Sequence, residues 1–193
     1  MKKSKKSNKK IATNQRFRLM SAGLAIVAVL IVGAAGVNYQ NSSQAARAKP
    51  TATVQTLLIK PASTTITPGS NVSAAIYANS GTVPVNVAQI ALVYPAGQLE
   101  FMSIGESTAF PVVASTDTST PGLIRIARSI ATGSAAGVTG EQLVATVNFK
   151  VLPGASGTAS LSYDLNSTLL VSAADGQNVI STTAGATYRI RNR

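Results

Sequence analysis

From residue 53 onward, apolar residues recur at every second position between short runs of Gly, Pro, Ser, Thr and Asn. A period of two belongs to a strand with one buried face, whereas a helix repeats its buried face at 3.6. The clearest run is Gln142–Leu152. Leu143, Ala145, Val147, Phe149 and Val151 share one face, Thr146, Asn148 and Lys150 the other, with Val144 the exception. A slip of one residue would bury Lys150 and Asn148, so the pattern itself specifies the register.

The same reading puts Val72, Ala74, Ile76 and Ala78 inward on a second strand, with Ser73, Tyr77 and Asn79 outward. A third carries Ala88, Ile90, Leu92 and Tyr94 inward and Val87, Gln89, Ala91 and Val93 outward. Ile124 and Ile126 point inward from Leu123–Arg128, leaving Arg125 and Ala127 outward, and Arg128 shares the inward parity at the strand end. Ala159, Leu161 and Tyr163 point inward from Thr158–Tyr163. Shorter candidates are Leu57–Lys60, Leu99–Ile104, Phe110–Ala114, Leu169–Ser172 and Tyr188–Arg191. Turn dipeptides such as Pro68-Gly69, Pro121-Gly122, Pro153-Gly154 and Asp175-Gly176 separate them. One apolar face per strand, no helix-period stretch and about nine strands predict an all-β fold: an antiparallel β-sandwich of two sheets packed face to face. Residues 53–193 are enough for one domain with a real core. Strand patterns alone leave an immunoglobulin-like order and a jelly roll both open.

Composition excludes several chemistries. The chain has no His, no Cys and no Trp. Nucleophile pairs built on His, and the common zinc, haem and iron–sulfur ligand sets, are therefore missing, and the expectation is a protein that is not an enzyme and carries no cofactor or metal of its own. The net charge of +11 suggests a polyanion binder until it is divided along the chain. The first 50 residues hold ten basic side chains and no acidic one; the remaining 143 hold seven and six. The excess belongs to the N-terminal segment, and no nucleic-acid partner is expected of the domain.

That segment begins with a basic stretch over residues 1–18, followed by Leu19–Val37, which has no charged residue. As a helix those 19 residues would span about 28 Å, close to the hydrocarbon thickness of a bilayer. Positive flanking charge on the N-terminal side alone predicts a single pass through the cytoplasmic membrane. Residues 1–18 would form a cytoplasmic tail, 19–37 a transmembrane helix, 38–52 a polar flexible linker, and 53–193 an extracytoplasmic domain. A cleaved signal peptide is the competing reading, but its apolar core is shorter. Its best cleavage site, Ala46-Arg47-Ala48, would lie 11 residues beyond Val37.

The order of the strand motifs also carries a family likeness. LLIKPASTTITPGSNVSAAIYANSG (Leu57–Gly81), VNVAQIALVYPAGQLEFMSI (Val85–Ile104), GLIRIARS (Gly122–Ser129) and GVTGEQLVATVNFKVLPGASGTASLSY (Gly137–Tyr163) together resemble a bacterial cohesin domain. One departure is that Tyr94 is followed directly by Pro95, where the family has Tyr-Asp-Pro. The resemblance implies a jelly-roll sandwich of about nine strands that binds a dockerin, a small module carrying its own calcium, through one sheet face. On this sequence the matching outward positions are Val87, Gln89, Arg125 and Ala127. Arg125 stands out because Arg is enriched among interface anchors.

Two further chemistries are weighed on residues alone. Asp164, Asn166, Asp175 and Asn178 carry oxygens suited to calcium but lack the spacing of a calcium loop, and turn carboxylates ordinarily bond backbone amides. A surface that binds polysaccharide would need exposed aromatic rings. Tyr94 and Tyr163 point inward by parity, which leaves Tyr77, Tyr188, Phe101 and Phe110. The alternatives to protein recruitment are therefore a carbohydrate-binding or adhesive sandwich and a structural envelope module.

Overall fold

The alternating pattern is realised as two facing sheets. The protein is described by a computed structural model that covers residues 54–133 and 136–192. These residues form twelve strands: β1 (Thr56–Lys60), β2 (Ser63–Ile66), β3 (Asn71–Asn79), β4 (Val85–Val93), β5 (Leu99–Ile104), β6 (Val112–Asp117), β7 (Leu123–Ser129), β8 (Glu141–Val151), β9 (Gly157–Tyr163), β10 (Leu169–Ser172), β11 (Thr182–Ala184) and β12 (Ala186–Ile190). One sheet runs β11-β1-β3-β8-β5; the other runs β2-β12-β9-β4-β7-β6, with β10 pairing a second stretch of β4. Among the described residues no helix is long and apolar enough to cross a membrane. The segments expected as tail, span and linker, residues 1–18, 19–37 and 38–52, lie outside the described residues.

The core is the sum of the inward faces. Ile59, Ala74, Ile76, Val147 and Phe149 from one sheet meet Ile90, Leu92, Ile124, Ile126 and Leu161 from the other, all essentially without solvent exposure. The Tyr94 and Phe149 rings tilt against each other with centroids 5.0 Å apart, an arrangement that aromatic quadrupoles favour. Every core residue lies between Leu57 and Ile190.

Several expectations change. Strands number twelve, not about nine, and not all pairs are antiparallel: β1 with β11 and β12 with β2 run parallel. Two short strands, β2 and β11, escape the pattern because they are edge pieces of four and three residues with little buried surface. Val144 ceases to be an exception. Ile76 pairs with Ala145 and Tyr77 with Leu143, so a bulge inserts Val144 as an extra residue, and both Val144 and Ala145 are fully buried. Leu143, expected inward, is only half-buried beyond the bulge. Ala91, expected outward, is buried. The strand expected at Phe110–Ala114 begins two residues later, and Phe110 is fully buried ahead of it.

The connection from β5 to β6 passes from one sheet to the other and is latched by polar side chains. Ser107 Oγ donates to the Leu143 carbonyl at 2.6 Å and accepts the Phe110 amide at 2.8 Å. Arg128 is the inward residue after Ile126 on β7. Its guanidinium is buried and donates from Nη2 to the Gly105 carbonyl at 2.8 Å. The strand does not end there, as its parity suggested, but continues to Ser129 with the charge spent on loop carbonyls.

Two measurements check this packing. A Cβ at Gly185, between β11 and β12, would run into the Leu161 carbonyl, whereas one at Gly97 would meet nothing. Gly185→Ala is expected to cost about 2–3 kcal/mol in denaturant unfolding, and Gly97→Ala about 0.5 kcal/mol or less. Equal stabilities would contradict the close approach of the two backbones.

The second concerns alkaline pH. Tyr163 and Tyr188 are buried, and neither hydroxyl has a partner among the described residues. Burial pushes the Tyr188 phenol up from its ordinary 10.0 to about 12. The Tyr163 phenol also rises, through burial first and then the neighbouring Tyr188. The folded state keeps these protons where the unfolded state releases them. Their contribution is therefore intact below pH 10 and is lost as pH rises above it, the part owed to Tyr188 by about 12. Tyr188→Phe should flatten that alkaline fall and cost about 1 kcal/mol or less at neutral pH. An unchanged alkaline slope in the variant would show that Tyr188 is not the group responsible.

Candidate functional site

Strands β10, β4, β7 and β6 present one outward face, and register decides what stands on it. Gln89 pairs with Ala127 on one side and Leu169 on the other; Val87 pairs with Ser129 and Val171; Ala91 pairs with Arg125. Strand β6 extends each row, setting Val112 beside Ser129, Ser115 beside Ala127 and Asp117 beside Arg125. The four expected residues are thus brought together on two adjacent strands. Val87, Gln89 and Ala127 are half-buried and Arg125 is exposed.

The edge of β4 is held where its two neighbours fail to meet. Strand β9 reaches β4 only at Leu92 and Val93, and β10 takes over at Gln89. Between them the Ala91 amide donates to Thr168 Oγ1 at 3.1 Å, and the Ala91 carbonyl accepts the Asp164 amide at 2.9 Å. The Asp164–Thr168 connection is pinned there, at the strand position that is buried against its parity. The same connection orients Gln89, whose Nε2 donates to the Ser167 carbonyl at 3.0 Å. A carbonyl can only accept, so the amide has one assignment, and Gln89 Oε1 is left to accept a bond from outside.

Arg125 is not a free cation. Its Nη1 lies 3.3 Å from Asp117 Oδ2, with both side chains close to half exposed. The Ser119 hydroxyl and amide both donate to Asp117 Oδ1, and these bonds, more than Arg125, hold the Asp117 carboxyl below its usual range. An exposed pair of this kind contributes little stability and is easily re-paired. The face is therefore neutral, with valine, leucine and alanine side chains around one fixed acceptor and one exchangeable ion pair. Depleted charge within an apolar patch and polar groups at its margin is the make-up of a protein-docking surface.

Asp117 and Ser115 were missed because the alternation fails on β6, which is exposed nearly throughout. Their signal was positional only: a short polar run directly before the Pro121-Gly122 turn into β7.

The sugar-platform candidates contract. Tyr188 and Phe110 are fully buried, Tyr188 by its inward parity on β12 and Phe110 in the connection ahead of β6. Tyr77 and Phe101 are half-buried, and the Lys60 ammonium sits 4.7 Å over the Tyr77 ring. The calcium candidates are occupied by the chain itself. Asp164 Oδ1 accepts the Asn166 amide, Asp175 Oδ1 the Gln177 amide, and Asn178 Oδ1 those of Leu170 and Ile180. Among the described residues no three acidic, His or Cys side chains cluster as metal ligands.

Solved structures share this arrangement. The seventh ScaB type I cohesin from Pseudobacteroides cellulosolvens is 18% identical over 72% of this chain and 94% of its own, with a TM-score of 0.61. The sixth cohesin of Acetivibrio cellulolyticus scaffoldin B, solved in complex with a dockerin, is 16% identical over 72% of this chain and 100% of its own, with a TM-score of 0.61. A non-cellulosomal cohesin from the archaeon Archaeoglobus fulgidus is 17% identical over 72% of this chain and 92% of its own, with a TM-score of 0.56. At such identities the likeness is one of fold. No curated protein matches the chain. The family model described as Cohesin domain matches residues 57–190, nearly the whole of the sandwich, and the chain therefore belongs to the cohesin domain family.

Proposed function

We propose that the chain is a membrane-anchored, outward-facing cohesin module that recruits a dockerin-like protein through the face of β10, β4, β7 and β6. The observation that carries this is the cross-strand cluster of Val87, Gln89, Arg125 and Ala127 on a neutral, apolar-rich face. A cohesin relative of the same fold has been solved with a dockerin bound. Calcium in such a complex belongs to the partner. Recognition here would set an incoming donor on Gln89 Oε1, exchange the Asp117 bond of Arg125 for one to the partner, and bury the valine and alanine side chains between them. The archaeal non-cellulosomal relative shows that the fold is not confined to cellulose-degrading assemblies, so the partner need not carry a cellulase. The anchor reading rests on the uncharged Leu19–Val37 run behind a basic stretch.

Titrating the fragment 53–193 against recombinant dockerin-type modules encoded in the same genome tests the recruitment. Binding should require calcium on the partner and weaken by about ten-fold or more in Gln89→Ala/Arg125→Ala, a loss of about 1.4 kcal/mol or more. Full affinity in that double variant would remove the face assignment; failure of every such module to bind would remove the partner class.

Reporter fusions test the topology. A reporter active only outside the cytoplasm, joined after residue 50, should give signal, and one active only inside should be silent. The reverse pattern would invert the orientation.

A further inference from the structure

The outward surface continues past β4 onto β9, β12 and β2, where its chemistry changes. Inward parity there is taken by Ile66, Ala159, Leu161, Ala186, Tyr188 and Ile190. What remains outward is hydroxyl and guanidinium. Register sets these in rows: Ser63, Thr187 and Ser160 in one, and Thr65, Arg189 and Thr158 in the next, all exposed. The Arg191 amide carries the ladder one step further, donating to the Ile66 carbonyl at 3.0 Å. Arg191 therefore follows Arg189 at one strand repeat, about 7 Å along the same side. Ser63, Thr64, Thr65, Thr187 and Arg189 line an open depression of about 350 Å³.

Charge on this corner is uncompensated. Residues 61–71, 153–163 and 182–192 contain Arg189 and Arg191 and no acidic residue. The ion pairs among the described residues, Lys60 with Glu141 and Arg125 with Asp117, lie elsewhere.

We infer that this face binds an anionic polymer of open-chain polyol phosphates lying along β12. Guanidinium forks take phosphate oxygens in pairs, and two of them in line call for a charge that repeats along an extended chain. Short hydroxyls on both flanking strands donate to and accept from the oxygens of a polyol. No aromatic side chain faces outward on β2, β9 or β12, so there is no ring on which a pyranose could stack, which favours a flexible polyol over a cyclic sugar. No apolar side chain is offered to a bilayer interface on these strands either. The inference does not depend on the docking of a dockerin-like partner.

The probe is immobilised poly(glycerol phosphate), and the protein is the fragment 53–193, whose core is complete within it. Saturable binding is expected at low ionic strength, falling steeply between about 20 and 200 mM salt. Arg189→Gln/Arg191→Gln should weaken it by about ten-fold or more. Arg191→Gln alone serves if melting curves show the double variant destabilised. Ser160→Ala/Thr187→Val, which leaves charge unchanged, should weaken it by about three-fold, and Lys60→Gln/Lys150→Gln on the other sheet should not weaken it. The inference is overturned by absence of binding at low salt, by equal loss in the Lys60/Lys150 variant, or by full binding in the hydroxyl variant, which would leave only a bare basic patch. Equal or tighter binding to polygalacturonate or to phosphatidylglycerol vesicles would likewise overturn it by naming a different occupant.

Discussion

The register of β4 ties the core of this protein to its surface. Ala88, Ile90 and Leu92 are without solvent exposure, and they alternate with Val87, Gln89 and Val93 on the outer side. Strand β4 pairs with β7, β9 and β10, so its register is held from both sides. A one-residue slip would put Gln89 among the isoleucines and leucines of the core and expose Ile90. The desolvation cost of that exchange fixes which side chains any partner can meet.

What the core cannot fix is where a strand must stop pairing. The outer edge of β4 is shared by β9 and β10, and the handover leaves Ile90 and Ala91 outside both ladders, with the amide and carbonyl of Ala91 turned to that edge. An unpaired amide and carbonyl at a buried position would be costly, and the Thr168 hydroxyl and Asp164 amide satisfy them. That solution fixes the Asp164–Thr168 connection, and the connection orients the Gln89 amide. The β5–β6 connection follows the same logic, with Ser107 and Arg128 binding carbonyls that no strand reaches. The polar contacts that shape the candidate face thus answer demands made by the backbone.

This division explains what could be read in the sequence. Interior strands have two paired edges and one buried face, so β3, β7 and β9, and most of β4 and β8, announced themselves by alternation. Parity also placed Val87, Gln89, Arg125 and Ala127 on one face. Edge strands were harder: β6 is solvated almost throughout and β11 has three residues, so neither shows a buried repeat. The bulge at Val144 broke the parity count because two consecutive inward residues look the same in sequence as an error in the pattern. Tyr188 and Phe110 were misjudged for a related reason. Phe110 lies two residues ahead of β6, outside any alternation, and Tyr188 is central in β12, a five-residue strand whose expected start at Tyr188 left out the inward Ala186 that shows its parity. Asp117, the partner of Arg125, lay past a strand end drawn too early.

Charge shows how much a net value conceals. The chain carries +11, yet almost all of it lies before residue 51. The domain's small remainder is unevenly placed. Lys60 with Glu141 on one sheet and Arg125 with Asp117 on the other neutralise two outer faces, while Arg189 and Arg191 stand apart from any acidic residue on their own or neighbouring strands. Screening over about 8–10 Å at physiological salt means that a ligand senses such a corner and not the total. The second sheet therefore has two surfaces of different kind, one neutral and apolar-rich, the other cationic and hydroxylated, with the β9–β10 handover on β4 between them. In strand order β9 separates β12 and β2 from β4, so at about 4.8 Å per strand the two surfaces lie only about 10–15 Å apart, and a partner of ordinary footprint seated on Gln89 and Ala127 would approach the arginine corner.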